Sequence, residues 1–374
     1  MGVNLELEQF LLPGIRPERP WIIAGPCSAE SEEQVMQTAV ELSKLGIRMY
    51  RAGVWKPRTR PNAFEGYGSK ALPWLKKVKD ETGMYTVTEV ANVKHVYEAL
   101  KWGIDILWIG ARTTANPFAV QEIADTLKGV DIPVIVKNPV SPDVELWIGA
   151  IERLNHAGIK RLAAAHRGFA KYEQSEYRNH PQWQIPIELK RRIPSIPMIN
   201  DPSHICGNRE NLLEVSQRAM DLNFDGLIIE SHINPEVALS DAKQQLTPAD
   251  LGILIGKLIL RHSDVDSSIS LTLEELREQI DRYDDQVMNI LEKRMCVADK
   301  IGDYKKTNSV TILQTKRWDE ILTKRHIQGL EKGLSEEFVT RIFEAIHQES
   351  INHQEKVMNP EEGTVNKTEA ALKH

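Results

Sequence analysis

Residues 21–28 read WIIAGPCS, an apolar run that stops abruptly at a glycine, a proline and a cysteine. Similar short runs, rich in β-branched residues, recur along the first two thirds of the chain. They are Trp21–Ala24, Arg48–Arg51, Tyr85–Thr88, Ile106–Ile109, Pro133–Val136, Arg161–Ala164, Pro197–Ile199 and Gly226–Ile229. None of them alternates strictly between apolar and polar residues, which is typical of parallel strands buried on both faces.

Amphipathic segments with a helical period, such as those at 32–45 and 144–156, lie between these runs. Eight successive strand and helix units predict an α/β fold, and specifically a closed (β/α)8 TIM barrel of about 250 residues. The same count of units favours this barrel over an open, doubly wound sheet. We therefore assign residues 1–262 to a TIM barrel.

The pattern changes after the barrel. Residues 263–272 are rich in Ser and Asp, which predicts a linker. Residues 273–356 follow a period of 3.5 to 3.6, which predicts an all-α domain of three helices. The polar residues 357–374 are predicted to form a disordered tail.

Length and charge limit the function classes. The chain has 374 residues, 41% of them hydrophobic, and a net charge of -6, which argues against a broad nucleic-acid surface. No apolar run approaches the roughly 18 residues needed to span a membrane. The N-terminus does not read as a signal peptide, so we expect a cytoplasmic protein. Three scattered cysteines are too few for a disulfide framework.

Active sites of TIM barrels lie at the carboxyl ends of the strands, so the residues after each run are candidates. Every run is followed by a polar or ionisable group, and five of these groups are cations. They are Arg51, Lys56, Arg112, Lys137 and Arg167. One such charge could be a solvated loop residue, but polar groups at eight strand ends favour a binding site. Clustered cations repel one another unless polyanions bind there, which predicts phosphorylated substrates.

The same strand ends carry a thiol, an imidazole and two carboxylates, a complete donor set for a divalent metal. These groups belong to Cys27, His204, Glu230 and Asp241. Cys27 alone would fit a buried thiol equally well. The donor set suits Mn, Fe, Co or Zn, so the metal stays open. His166 or His232 could replace one ligand, and Glu89 could lie beside the ligands or be a satisfied core carboxylate.

Seven short motifs occur in order along the predicted barrel. They are Gly25-Pro26-Cys27-Ser28, Arg51 with Lys56-Pro57-Arg58-Thr59, Gly110-Ala111-Arg112, Lys137-Asn138-Pro139, His166-Arg167-Gly168, Asp201-Pro202-Ser203-His204 and Ala238-Leu239-Ser240-Asp241. Over residues 21–260 this set resembles the short-barrel branch of the 3-deoxy-D-arabino-heptulosonate 7-phosphate synthases. That branch is also related to the 3-deoxy-D-manno-octulosonate 8-phosphate synthases.

The resemblance implies a condensation of phosphoenolpyruvate with erythrose 4-phosphate, in the shikimate pathway. It implies metal ligation by Cys27, His204, Glu230 and Asp241. It implies phosphoenolpyruvate binding by Arg51, Lys56, Gly110, Ala111, Arg112, Lys137 and Arg167, with Lys56 catalytic. Erythrose 4-phosphate would contact Pro57, Arg58 and Thr59. The octulosonate enzymes carry a different, Asn-containing sequence there, so the motif favours the four-carbon aldose.

Apolar residues from Leu273 to Tyr304 follow spacings of three and four, which predicts one long helix with an apolar seam. Arg294 interrupts this seam, and a cation there needs an anion, so a bound carboxylate is one interpretation. Snorkelling, or pairing with a facing Glu, is the alternative. Lys305 lies about three turns after Arg294, on nearly the same face of the helix. Arg277 lies about 100° around the helix from Arg294, so it cannot serve the same site but could serve a dimer partner's site.

In the last predicted helix, Ser350 and Gln354 continue an i,i+4 row begun by Ile342 and Ile346. Together with residues 314–318, this pattern over residues 272–356 resembles the all-helical chorismate mutases, which form entwined dimers. The resemblance implies chorismate binding by Arg277, Arg294, Lys305, Gln314, Arg317, Ser350 and Gln354, with Lys305 and Gln354 catalytic at the ether oxygen. Gln314 and Trp318 depart from the pattern, because a carboxylic residue is common at those positions.

The sequence therefore predicts a bifunctional enzyme, a synthase (transferase) fused to a mutase (isomerase), with small-molecule substrates and neither nucleic acid nor membrane as a partner. We expect a homodimer through the helical domain and feedback on the barrel by a ligand of the mutase site. The first alternative is a synthase whose helical domain is only a ligand sensor and dimerisation module. A different metal-dependent aldolase or a silent binding protein is the second.

Overall fold

The computed structural model describes residues 3, 5–56, 63–170, 175–261, 267–313 and 315–360. Contacts divide the chain into two compact units, Met1–Ser263 and Asp264–His374. The first unit is the predicted TIM barrel. Its strands are β1 (Trp21–Gly25), β2 (Met49–Arg51), β3 (Tyr85–Val90), β4 (Ile106–Ile109), β5 (Val134–Lys137), β6 (Leu162–His166), β7 (Met198–Asn200) and β8 (Gly226–Glu230).

All eight strands are parallel, and β1 pairs with β8 to close the barrel in the order β1 to β8. The predicted fold class is confirmed, and the strand bounds differ from the predicted ones by at most two residues. Pro133 and Pro197, predicted to begin strands, lie just outside β5 and β7. Proline has no N–H to donate to a ladder, although both residues accept a hydrogen bond through their carbonyl oxygens.

Helices cover the outside of the barrel. They are α1 (Glu32–Lys44), α2 (Leu72–Thr82), α3 (Val93–Lys101), α4 (Ala111–Thr114), α5 (Pro117–Thr126), α6 (Val144–His156), α7 (Gln184–Arg192), α8 (Pro202–Cys206), α9 (Leu212–Asp221) and α10 (Pro248–Lys257). Side chains cap several N-termini: Ser31 accepts from the backbone N–H of Gln34, and Asp143 from that of Leu146. These caps fix where the chain turns from a strand-end loop into a helix.

A short segment before β1 closes the amino end of the barrel. Phe10 is 2% exposed and packs with Leu11 against side chains inside the barrel, such as Ile23 and Met49. Its ring stacks on Trp21, at the start of β1, with centroids 6.1 Å apart. The amino end is therefore filled with apolar side chains, and the polar groups gather at the carboxyl end.

The second unit contains three helices, as predicted: α11 (Ser267–Thr307), α12 (Thr315–Glu331) and α13 (Glu336–Met358). Residues 263–272 were predicted to be a linker, but α11 already begins at Ser267, so that prediction is wrong for 267–272. Serine is common in the first turn of a helix, where its side chain can satisfy free backbone groups, so a Ser-rich stretch does not exclude helix. Residues 361–374 of the predicted tail lie outside the described residues.

We expect Phe10→Ala to lower the free energy of unfolding of the barrel by about 3 to 5 kcal/mol, because it removes a buried aromatic ring and leaves a cavity. Urea unfolding followed by near-UV circular dichroism measures the change. Phe118→Ala is the matched control, since that ring is 84% exposed, and we expect it to stay within about 0.5 kcal/mol of the wild type. Equal losses for the two variants would contradict this role of Phe10.

Candidate active sites

A cavity of about 160 Å³ opens at the carboxyl end of the barrel. Its lining residues are Lys56, Glu89, Gly110, Ala111, Arg112, Lys137, Arg167, Arg178, His204 and Asp241. Eight of these are predicted site residues. For Glu89 the sequence left two interpretations, a position beside the metal ligands or a satisfied core carboxylate. Arg178 was not predicted. The carboxyl ends of the strands therefore bring together groups that are far apart in the sequence.

Arg51 lies buried beside this cavity. Its Nη2 donates to the carbonyl oxygen of Cys27 at 3.2 Å and lies 3.3 Å from Oε1 of Glu230. The guanidinium also lies over the ring of Trp108, 4.9 Å from its centroid. Its Nε and Nη1 have no hydrogen-bond partner among the described residues. Two buried donors of Arg51 are thus unpaired among the described residues, and Arg51 is not one of the residues that line the cavity.

Lys137 lies over the same Trp108 ring, 5.3 Å from its centroid. Its Nζ lies 2.7 Å from a carboxylate oxygen of Asp201, which is fully buried. Burial would raise the pKa of Asp201, but His204 and Lys137 hold it well below its usual range. Asp201 is therefore an anion that holds the amine of Lys137 in place.

Arg167 is held at the cavity wall by Asn179, whose side-chain oxygen accepts from Nη1 at 2.6 Å. Burial lowers the pKa of Arg167 to about 10, against the opposite effect of Asp201, and Arg178 and Arg112 lower it further. The group still carries its charge at neutral pH. A bound anion would relieve the mutual repulsion of these cations.

Glu89 lies against Gly110, the residue before α4. Its Oε2 accepts from Nε1 of Trp108 at 3.0 Å, and a Cβ at position 110 would collide with its Oε1. Glu89 is therefore a hydrogen-bonded carboxylate in the cavity wall. Because Gly110 has no Cβ, the Glu89 carboxylate fits beside it.

Cys27, Glu230 and Asp241 each place one ligand atom within 4.8 Å of the others. Nε2 of His204, the fourth predicted ligand, lies 3.7 Å from Oε1 of Glu230, and its Nδ1 lies 2.9 Å from Asp201. A carboxylate on the far ring nitrogen is a common way to orient a metal-binding histidine. Oε1 of Glu230 is buried and accepts no hydrogen bond among the described residues. The donor set thus fits a divalent cation.

The electrostatics of Cys27 also fit a cation. Burial, and then the charge of Glu230, raises the pKa of the Cys27 thiol to about 12. Nζ of Lys56 lies 2.9 Å from the sulfur. Burial alone would lower the pKa of Lys56, but Cys27 and Glu230 raise it overall, so the amine is protonated. A divalent cation would favour the thiolate form of Cys27.

Two adjacent glutamines hold the loop that carries Asp241. Gln244 donates to Oε2 of Glu230 at 2.7 Å, and Gln245 accepts from the backbone N–H of Cys27 at 2.9 Å. Arg178 donates to Asp241 at 3.0 Å and to Gln244 at 2.9 Å. These contacts tie the β8 loop to the β1 loop, which brings Asp241 to Cys27.

The other two histidines at this rim lie outside the three-residue cluster. Nε2 of His166 lies 2.6 Å from the carbonyl oxygen of Pro181, and burial lowers the pKa of the ring to about 4. Nδ1 of His232 accepts from the backbone N–H of Asn234 at 2.9 Å. His204 also lies outside that cluster, so the choice of ligand among the three histidines stays a prediction. Pro57, Arg58 and Thr59 lie outside the described residues.

A second cavity, of about 400 Å³, lies between the three helices of the second unit. Five predicted residues line it: Arg294, Lys305, Arg317, Ser350 and Gln354. Arg294 donates to the hydroxyl of Ser350, and the buried Gln354 has a side-chain oxygen without a hydrogen-bond partner among the described residues. The lining also includes Trp318 and His347, and His347 was not predicted.

Arg277 does not line this cavity. It is exposed and lies 3.4 Å from Glu274, one turn earlier on α11. That position agrees with the helical geometry, which places Arg277 on a different face from Arg294. Gln314 lies outside the described residues.

The model of the DAHP synthetase I family matches residues 15–258, more than half of the chain. The chain belongs to that family. The chorismate mutase type II family matches residues 276–355, the helical unit. Over the described residues, no helix is both long and apolar enough to cross a membrane.

A phospho-2-dehydro-3-deoxyheptonate aldolase of Thermotoga maritima is 35% identical over 225 residues, which cover 60% of this chain and 64% of the relative. The chain thus spans less than two thirds of that relative. A 2-dehydro-3-deoxyphosphooctonate aldolase of Geobacter sulfurreducens is 27% identical over 64% of this chain and 92% of its own length.

Two solved structures from Thermotoga maritima are similar to this chain. The crystal structure of a phospho-2-dehydro-3-deoxyheptonate aldolase has a TM-score of 0.58 at 31% identity, covering 64% of this chain and 67% of that one. A truncated 3-deoxy-D-arabino-heptulosonate 7-phosphate synthase also has a TM-score of 0.58, at 29% identity, covering 67% and 90%. Both likenesses agree with the barrel described above.

Proposed function

We propose that the barrel condenses phosphoenolpyruvate with erythrose 4-phosphate, giving 3-deoxy-D-arabino-heptulosonate 7-phosphate and phosphate. The main support is one cavity whose lining combines the cations Lys56, Arg112, Lys137 and Arg167 with Asp241, a member of the three-residue cluster of Cys27, Glu230 and Asp241. A polyanion and a divalent cation would balance these charges. Membership of the DAHP synthetase I family supports the same reaction.

Cys27, His204, Glu230 and Asp241 would hold the metal, whose identity stays open among Mn, Fe, Co and Zn. When bound, the metal supplies Lewis acidity that polarises the aldehyde. The chain's own cations do the positioning. Arg51, Arg112, Lys137 and Arg167, together with the backbone at Gly110 and Ala111, would fix the phosphate and carboxylate of phosphoenolpyruvate.

With the substrate fixed, its methylene carbon attacks the aldehyde carbon and a new C–C bond forms. Lys56 is protonated and would donate a proton to the aldehyde oxygen as negative charge develops there. Water then adds at the former enol carbon, and phosphate departs from it. The cations that bound the phosphate stabilise this leaving group.

The choice of aldose rests on Lys56-Pro57-Arg58-Thr59, the sequence predicted to contact it. The relatives include both heptonate and octonate aldolases. We propose erythrose 4-phosphate over arabinose 5-phosphate. Phosphate release measured with each aldose in turn tests the choice, and faster turnover of arabinose 5-phosphate would refute it.

We expect Cys27→Ala to lose bound metal and to lower synthase activity by more than about 100-fold. Even residues that only hydrogen-bond to metal ligands affect metal affinity about 10- to 100-fold. Metal content after dialysis against limiting Mn²⁺ is measured by mass spectrometry, alongside phosphate release.

Cys206→Ala is the matched control, because Cys206 is also buried but lies outside the metal cluster. We expect it to keep both metal and activity. Wild-type metal content in the Cys27→Ala protein would remove this residue from the proposed ligand set.

We propose that the helical unit rearranges chorismate to prephenate. Three cations, Arg294, Lys305 and Arg317, line its cavity and match a dicarboxylate. Lys305 and Gln354 would hydrogen-bond to the ether oxygen as that bond breaks, and Ser350 lies beside Arg294. A pericyclic step needs no metal and no covalent intermediate. The alternative, a helical unit that only senses ligands, would bind chorismate without converting it.

We propose a homodimer through the helical unit, in which Arg277 serves the partner's site. Large apolar side chains along α11, including Ile280, Tyr283, Val287 and Ile290, are each more than half exposed. An exposed apolar stripe of this kind marks an interaction surface. The seam that carries these residues was predicted to pair with another helix.

Site sharing predicts complementation between two inactive variants, Arg277→Ala and Lys305→Ala. Each variant alone should have little mutase activity. In a one-to-one mixture after subunit exchange, half of the dimers are mixed and each has one intact site, so we expect about a quarter of the wild-type rate. Absorbance at the chorismate band measures it. An additive, near-zero rate in the mixture would mean that Arg277 acts within its own protomer.

We also propose feedback on the barrel through the fusion. Prephenate in the helical cavity would slow the synthase reaction of the wild-type chain. Phosphate release with and without prephenate tests this, and the Lys305→Ala protein should be insensitive. Equal sensitivity of the two proteins would contradict feedback from this cavity.

A further inference from the structure

Two aromatic rings form one wall of the cavity in the helical unit. Trp318 on α12 stacks on His347 on α13, with centroids 4.1 Å apart and an angle of 14° between the planes. Both side chains line the cavity together with Arg294 and Lys305. The stack therefore limits the tilt of the imidazole ring.

One nitrogen of this ring has no partner. Nε2 of His347 is buried from solvent and makes no hydrogen bond among the described residues. A buried polar atom without a partner costs about 1 to 3 kcal/mol. A ligand atom in the cavity could supply the missing hydrogen bond.

The charges around the cavity indicate what kind of atom this would be. Arg294, Lys305 and Arg317 give the lining three cations, and the described lining residues include no carboxylate. Burial, and then the charges of Arg294 and Lys305, lowers the pKa of His347. The imidazole is therefore neutral at pH 7, and it suits an uncharged polar group better than a carboxylate.

We propose that His347 hydrogen-bonds to the ring hydroxyl of the dicarboxylate bound in this cavity, and that Trp318 is its positioning residue. The identity of the ligand rests on the mutase function proposed above. The cations match its carboxylates, and Lys305 and Gln354 match the ether oxygen of chorismate, which becomes the keto oxygen of prephenate. The hydroxyl is the remaining polar group. Hydroxyl recognition is thereby assigned to a residue outside the set that the family resemblance implies.

The test compares two ligands in the full-length protein: prephenate, and its analogue that lacks the ring hydroxyl. Titration calorimetry measures both dissociation constants. We expect the wild type to bind prephenate about tenfold more tightly than the analogue, which corresponds to one hydrogen bond. His347→Phe keeps a ring against Trp318 but removes Nε2. It should bind both ligands equally, with the analogue as tight as in the wild type.

His353→Phe is the matched control. His353 lies on the same helix, its Nδ1 is 2.8 Å from Asp299, and it does not line the cavity. This variant should keep the tenfold preference. Trp318→Ala should reduce the preference, and Trp318→Phe should restore it, because an aromatic face again supports the imidazole.

A His347→Phe protein that keeps the tenfold preference would overturn the inference. Equal weakening of both ligands would also overturn it, because that pattern indicates a purely structural role. The proposed mutase activity is judged separately, by turnover of chorismate in the wild type. If the wild type turns over chorismate and His347→Phe keeps the preference for prephenate, only the hydroxyl contact is refuted. If His347→Phe loses that preference but the wild type does not turn over chorismate, only the mutase activity is refuted. Failure of the wild type to bind either ligand would overturn both.

Discussion

The contact of Arg51 with Glu230 and the backbone of Cys27 is the constraint on which the barrel site depends. An arginine buried at the end of a strand is tolerated only if its charge is balanced nearby, since an unpaired buried charge costs several kcal/mol. The β1 and β8 pairing places Gly25 opposite Glu230, so closure of the barrel brings that carboxylate to Arg51. Closure of the sheet therefore also places Glu230 beside Arg51.

The remaining contacts at the rim follow from this charge balance. Trp108 lies against Arg51 and Lys137, and its ring face is favourable for both cations. Asp201 and Glu230 are the carboxylates that offset them. Nε and Nη1 of Arg51 still have no hydrogen-bond partner among the described residues. A site that is stable with its charges only partly matched is prepared to bind an anion.

The sequence predicted the strand ends well, because the rule that gathers them is geometric and needs no knowledge of side-chain contacts. Cys27 and Glu230 come together for that reason, whereas the contacts of Gln244 and Gln245 bring the loop of Asp241 to them. Arg178 could not be found in this way, since it lies in the long connection after β6 and reaches the rim through Asp241 and Gln244. Gln244 and Gln245 lie three and four residues after Asp241, so the sequence shows that they are near it but does not show their hydrogen-bond partners. The stack between Trp318 and His347 joins two helices, and no periodicity predicts such a pair.

Gly110 leaves room for a hydrogen bond between two neighbouring strands. A side chain at that position would need the space of the Glu89 carboxylate, and Glu89 in turn is anchored to Trp108. A side chain at 110 would therefore require the Glu89 carboxylate to move aside, and that movement would release the indole N–H of Trp108. The absence of a side chain at 110 thus preserves a hydrogen bond between two neighbouring strands.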